Sequence, residues 1–168
     1  MTRRIVPVLL VLALFAVPAS AQTCGLLTFG FATNGAGCAP VAGLAPTLTG
    51  SLVPSPAITL CNVRFTLSPN GPVPITGFPP AILAIGVSDP MIDLSPLGLT
   101  GCVLRTSLDA VLTMSPNPAG IVSQIATIPV PMTPSLIGAT AYSQALLLLP
   151  ATGAIIPQIS NGVRVDII

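Results

Sequence analysis

Lysine, glutamate, histidine and tryptophan are absent from this chain of 168 residues, and the charge that remains is five Arg and four Asp, 5% of the total. Without His or Lys there is no Ser/His or Cys/His pair, no imidazole metal site, no Schiff base and no amine general base. Glycines stand apart, with no G-x-G-x-x-G and no phosphate loop ending in Lys, and no serine sits in a G-x-S-x-G elbow. Nucleotide binding and serine hydrolysis are therefore unsupported. Arg64, Arg105 and Arg164 lie far apart along the chain, whereas a nucleic-acid binder clusters its cations to neutralise several phosphates. The expectation is a protein that is no enzyme, carries no cofactor or metal and does not bind nucleic acid.

What is present is apolar: 52% hydrophobic residues, together with 20 Pro and 15 Gly. At the start, Thr2-Arg3-Arg4 precedes a mostly apolar run from Ile5 to Val17, and Ala19-Ser20-Ala21 forms an A-x-A cleavage signal. This pattern predicts a secretory signal over residues 1–21, cut between Ala21 and Gln22. The apolar run is shorter than the ~20 residues a spanning helix needs, so no membrane insertion is expected once it is removed. Cleavage would leave three Arg against four Asp, a formal charge of −1. Low charge with high hydrophobicity is the opposite of a disordered composition, and one domain accounts for the length.

Cys24, Cys38, Cys61 and Cys102 all follow the signal. Export to an oxidising compartment makes two disulfides the natural reading, with three connectivities open. A zinc site would want close Cys pairs or a His partner, and neither exists. The expected location is secreted or otherwise extracytoplasmic, extracellular or periplasmic.

Proline recurs from Pro40 to Pro157 and leaves no window for a helix of average length. Short strands between turns remain. Cys61, Val63, Phe65 and Leu67 alternate with Asn62, Arg64 and Thr66, as in a half-buried strand, and Val163, Val165 and Ile167 alternate with Arg164 and Asp166. Other candidate strands are 47–52, 81–87, 102–106, 110–114, 121–128, 136–147 and 154–159. The run Gln144 to Leu149 reads as a strand covered on both faces, Tyr142 as a strand residue with its ring in the core, and Ser160-Asn161-Gly162 as a tight turn. About nine short strands predict an all-β fold, a single antiparallel β-sandwich of Ig-like or jelly-roll-like form over 44–168, preceded by a Gly-containing lead-in over 22–43.

Among polar residues, Asp89 and Asp93 lie four apart next to Pro90. Paired carboxylates serve glycosidases and calcium sites, but Asp beside Pro more commonly starts a turn. Asp109 and Asp166 suit solvent-facing strand positions or pairing with Arg105 and Arg164. Asp89, Asp93 and Asn161 form the one candidate ligand loop.

An ordered series of short motifs resembles a secreted β-sandwich domain found in many copies in planctomycetes and some other environmental bacteria, generally without assigned activity. The series is Gly35-Ala36-Gly37-Cys38, Pro46-Thr47-Leu48, Ala81 to Ser88, Ile92-Asp93-Leu94-Ser95-Pro96-Leu97-Gly98, Gly101-Cys102-Val103-Leu104, Ile128-Pro129, Pro134 to Gly138, Tyr142-Ser143-Gln144 and Ser160-Asn161-Gly162. Two Gly-Cys elements recur together in that family, so the resemblance implies pairing Cys38 with Cys102 and Cys24 with Cys61. It also implies export and attaches no reaction. This chain lacks the family's aromatic before Tyr142, where Ala141 stands, and its Trp near Ser88 and after Gln144. The expected function is an exported, non-enzymatic structural or adhesive domain that associates with itself or with other surface components; the alternative is a soluble module binding a glycan or small ligand through loops, with calcium assisting.

Overall fold

The computed structural model describes residues 20–39, 45–70, 79–119, 123–151 and 154–168. Most of the expected signal segment, the expected sandwich start at 44 and the start of the expected strand at 121 lie outside the described residues. The described residues contain twelve strands: β1 (Ser20–Cys24), β2 (Leu27–Asn34), β3 (Thr47–Val53), β4 (Leu60–Ser68), β5 (Ala81–Gly86), β6 (Ile92–Asp93), β7 (Val103–Leu104), β8 (Ala110–Thr113), β9 (Ser115–Pro116), β10 (Gln124–Pro131), β11 (Thr140–Ala151) and β12 (Ala154–Ile167). Among the described residues there is no α-helix, as the proline spacing requires, and no helix is long and apolar enough to cross a membrane.

All pairing is antiparallel. A six-stranded sheet runs β1-β2-β12-β11-β5-β8, a four-stranded sheet runs β3-β4-β10-β9, and β6 pairs with β7. The two larger sheets enclose the core of a β-sandwich. Alternation decides which side chains enter it: Phe29 and Phe31 from β2, Val63, Phe65 and Leu67 from β4, Leu83 from β5, Ala145 and Leu147 from β11, and Val163 and Val165 from β12 are all buried there. Burying one such side chain stabilises the fold by about 1.5–3 kcal/mol relative to leaving it exposed. Gly50 lets β3 approach the ring of Phe31, where any Cβ would collide.

Four departures from the sequence reading have clear causes. Residues 22–34 are not a lead-in but most of β1 and β2, because Leu27, Phe29 and Phe31 alternate into the core; the glycines mark the Gly25 turn, with φ +60, and not a linker. The predicted turn at Ser160-Asn161-Gly162 is instead the interior of β12. Gly162 has no positive φ, and Ser160 and Asn161 together oppose the single residue Ala145 in a β-bulge. Tyr142 lies in β11 but is only half-buried and outside both apolar clusters, on the face opposite Ser143 and Ala145. The expected strand over 136–147 begins only at Thr140, because Pro134–Leu136 forms a 3-10 turn.

The bulge has a structural consequence. It switches the faces of β12, so that Ile159 points to the outer side of the six-stranded sheet while Val163 and Val165 point inward. On the outer side, Ile159 and Leu146 meet Leu94 and Cys102 in a second, smaller apolar cluster. The Gln144 to Leu149 run is thus covered on both faces at Gln144 to Leu147, while Leu148 lies on the outer face outside both clusters and is half-buried.

Both disulfides are formed with the pairing that the resemblance implies, Cys24–Cys61 and Cys38–Cys102. The first ties β1 of one sheet to β4 of the other. The second ties the segment after β2, itself bridged to Ile159 through Cys38, to the long connection between β5 and β8. Two intramolecular disulfides are the mark of an oxidising, extracytoplasmic environment.

Candidate functional site

The connection between β5 and β8, residues 87–109, leaves the sheet edge and folds back over the outer face of the six-stranded sheet. Its neck is closed by Asp109, whose Oδ2 accepts the Val87 N–H at 2.9 Å and the Ser107 hydroxyl at 2.8 Å, and by the Ser107 N–H donating to the Ser88 carbonyl at 3.0 Å. Those two donors, the Val87 amide first, hold the Asp109 carboxyl below the ordinary carboxylate range. At the tip, Asp93 Oδ1 accepts the Ser95 N–H at 2.9 Å and its hydroxyl at 2.7 Å, an Asx turn that opens the 3-10 turn Ser95–Leu97 and lowers the Asp93 pKa for the same reason.

Gln144 of β11 clamps the returning strand. Its Oε1 accepts the Arg105 N–H at 2.9 Å, and its Nε2 donates to the Val103 carbonyl at 3.1 Å and the Ser160 carbonyl at 2.9 Å. Thr106, fully buried, donates its hydroxyl to the Tyr142 carbonyl at 3.0 Å. Asp89 Oδ2 accepts from Asn34 Nδ2 at 2.9 Å and forms a partly buried ion pair with Arg105 at 3.4 Å.

The three residues read as a ligand loop therefore occupy different roles and are not presented together. Asp93 caps a turn and Asp89 ties β2 to the excursion. Asn161, only 8% exposed, belongs to no loop. The bulge aims its side chain across the sandwich, where Oδ1 accepts the Leu48 N–H at 2.8 Å and Nδ2 donates to the Leu48 carbonyl at 2.9 Å. Asp166 pairs with Arg164 as expected, through Nε at 2.9 Å and Nη2 at 2.7 Å; this hydrogen bond above all lowers the Asp166 carboxyl, with the Thr140 hydroxyl adding to it. Among the described residues, no group of three His, Cys, Asp or Glu side chains could hold a metal ion.

What the excursion does form is an apolar cleft of about 350 Å³ against the sheet. Its roof is Leu94, Leu97, Leu99, Leu104 and Leu108; its floor is Ile82, Ala84, Val111 and Leu146. The one polar lining residue, Gln144, has its side-chain oxygen and nitrogen engaged in the clamp. Around the mouth the apolar surface continues into solvent, with Leu97 75%, Leu108 62% and Val111 55% exposed. Sequence reading missed this site. The available signal was five leucines from Leu94 to Leu108 in a stretch read as containing only one short strand, which is more apolar weight than a plain connection needs.

The cleft ends at β8, an edge of the six-stranded sheet on which all four residues are exposed. The opposite situation holds at β3, the edge of the smaller sheet. There the outward N–H groups of Leu48 and Leu52 are taken by the side-chain oxygens of Asn161 and Gln22. At another edge, β9 contains Pro116, which has no N–H to offer. No protein-family model, no curated protein and no solved structure matches the chain.

Proposed function

We propose that this chain is an exported, non-enzymatic structural or adhesive domain that works by apolar contact with copies of itself or with other components of a cell surface. The observation that carries this reading is the exposed apolar surface formed by the cleft mouth and β8, in a molecule with few charged groups, of which Arg105 pairs with Asp89 and Arg164 with Asp166. Asp89, Asp93, Asp109 and Asp166 each accept hydrogen bonds from neighbouring protein groups, leaving no pair of carboxyls poised as acid and base. Contiguous exposed apolar surface on a folded domain marks an interaction site, and a net charge near zero gives little repulsion between copies. The two disulfides suit a domain that must persist outside the cell.

Sedimentation of the oxidised protein over a concentration series, beside a glycan array read with and without calcium, tests this reading. Reversible association and a blank array are expected. A monomer at every concentration, with specific calcium-dependent glycan binding, would replace it with the ligand-binding alternative.

A further inference from the structure

We infer that the β8 edge is the contact between two copies of this chain, joined as a two-fold antiparallel pair centred on Leu112. The inference rests on the associative reading above and names the surface that carries it.

The hydrogen-bond phase of the sheet decides which groups of β8 are free. The Leu148 N–H donates to the Pro80 carbonyl and the Met114 N–H to the Ala81 carbonyl. In the observed registers, Leu146 faces Ile82 and Leu112 faces Leu83. Since an antiparallel ladder directs alternate residues to opposite neighbours, even-numbered residues of β5 bond to β11 and odd-numbered ones bond to β8. On β8 the residues facing β5 are then Ala110 and Leu112, and the N–H and C=O groups of Val111 and Thr113 point to the open side. Among the described residues no strand and no side-chain cap covers them, in contrast to Leu48 and Leu52 on β3.

These free groups are complementary to themselves. Turning a second copy about an axis normal to the sheet and midway between the two Leu112 residues sets Val111 opposite Thr113 of the other copy and Thr113 opposite its Val111. All the free donors and acceptors of both strands are then paired. The axis keeps each side chain on its own face: Leu112 meets Leu112 of the other copy on the inner side, where it is 38% exposed at the open flank of the core, and the two cleft mouths lie on the same outer side. No charge opposes like charge, because Asp109 falls opposite Ser115. The strand Ala110-Val111-Leu112-Thr113 carries none of the Lys, Pro or inward charge by which edges are usually blocked. So short a seam belongs to the weak, reversible class of interfaces, below about 1,200 Å² in total, and is isologous.

The test uses the full disulfide-bonded protein. Val111→Pro and Thr113→Pro each remove an outward N–H and no hydrogen bond within the monomer, and both are expected to abolish concentration-dependent sedimentation; Val111→Lys serves the same purpose if a proline variant does not fold. Leu112→Cys is expected to yield a disulfide-linked dimer under mild oxidation, because that residue faces itself across the axis at disulfide range. Val111→Cys, which faces Thr113, is expected to crosslink far less. Association that persists unchanged in the folded Pro or Lys variants would overturn the β8 contact while leaving the associative reading standing. Equal crosslinking of the two Cys variants would overturn the register. A wild-type protein that stays monomeric, with no Leu112→Cys crosslink, would overturn the β8 contact and leave contact with other surface components as the only form of the associative reading.

Discussion

Asn161 carries more of the architecture than any polar residue the sequence suggests for function. Its amide reproduces, from the six-stranded sheet, the pairing that a neighbouring strand would give Leu48 on the edge of the other. Asn161→Ala would leave a buried N–H and C=O without partners, and we expect a loss of about 2–3 kcal/mol, read as a lowered midpoint in chemical denaturation with unchanged slope. The residue was visible in the sequence but its role was not. Asn-Gly favours a tight turn locally, and only the bulge opposite Ala145 converts it into an inter-sheet tie. The carboxylates give a second prediction. Asp93, Asp109 and Asp166 are held below the ordinary range by hydrogen bonds in the folded state, so their stabilisation is complete above an unfolded pKa of about 3.9 and is lost as pH falls through the lower folded values. No histidine is present to add a transition near neutrality. Thermal midpoints should be level from about pH 5 to 8 and fall only below about pH 4; a step near pH 6.5 would contradict this.

At the scale of elements, the 87–109 excursion is the part of the fold that sequence patterning revealed least, since the strand expected over 102–106 matches only the two residues of β7. β4 and the end of β12 were legible because one face is buried and the other wet. The two-residue β7 falls within the strand expected over 102–106, whereas β6 is too short for alternation to register, and the position of both depends on contacts distant in sequence: the Gln144 clamp and the Cys38–Cys102 bond. β1 and β2 were hidden for another reason, since glycines beside Phe29 and Phe31 resemble a linker until the phenylalanines are seen in the core. Replacing Cys38 and Cys102 together by Ala should cost up to about 4 kcal/mol in the loop-entropy view and should loosen the excursion first. Limited proteolysis is then expected to cut between Val87 and Asp109 in the variant and not in the oxidised parent. Cleavage starting elsewhere would show that the disulfide does not hold this element.

For the whole molecule, all-β architecture followed from proline spacing alone, whereas the candidate site depended on where the edges of the sheets fall. Edge assignment is a property of strand order, which local sequence does not encode. The molecule engages the Leu48 and Leu52 N–H groups on the β3 edge with side chains from the opposite sheet and interrupts β9 with proline, yet leaves β8 bare beside an apolar cleft. Amide hydrogen exchange at low and high protein concentration tests this contrast most directly. The Leu48 and Leu52 amides should be protected at both concentrations, and the Val111 and Thr113 amides should exchange freely when dilute and become protected when concentrated. Val111 and Thr113 amides that exchange equally fast at both concentrations would contradict the account.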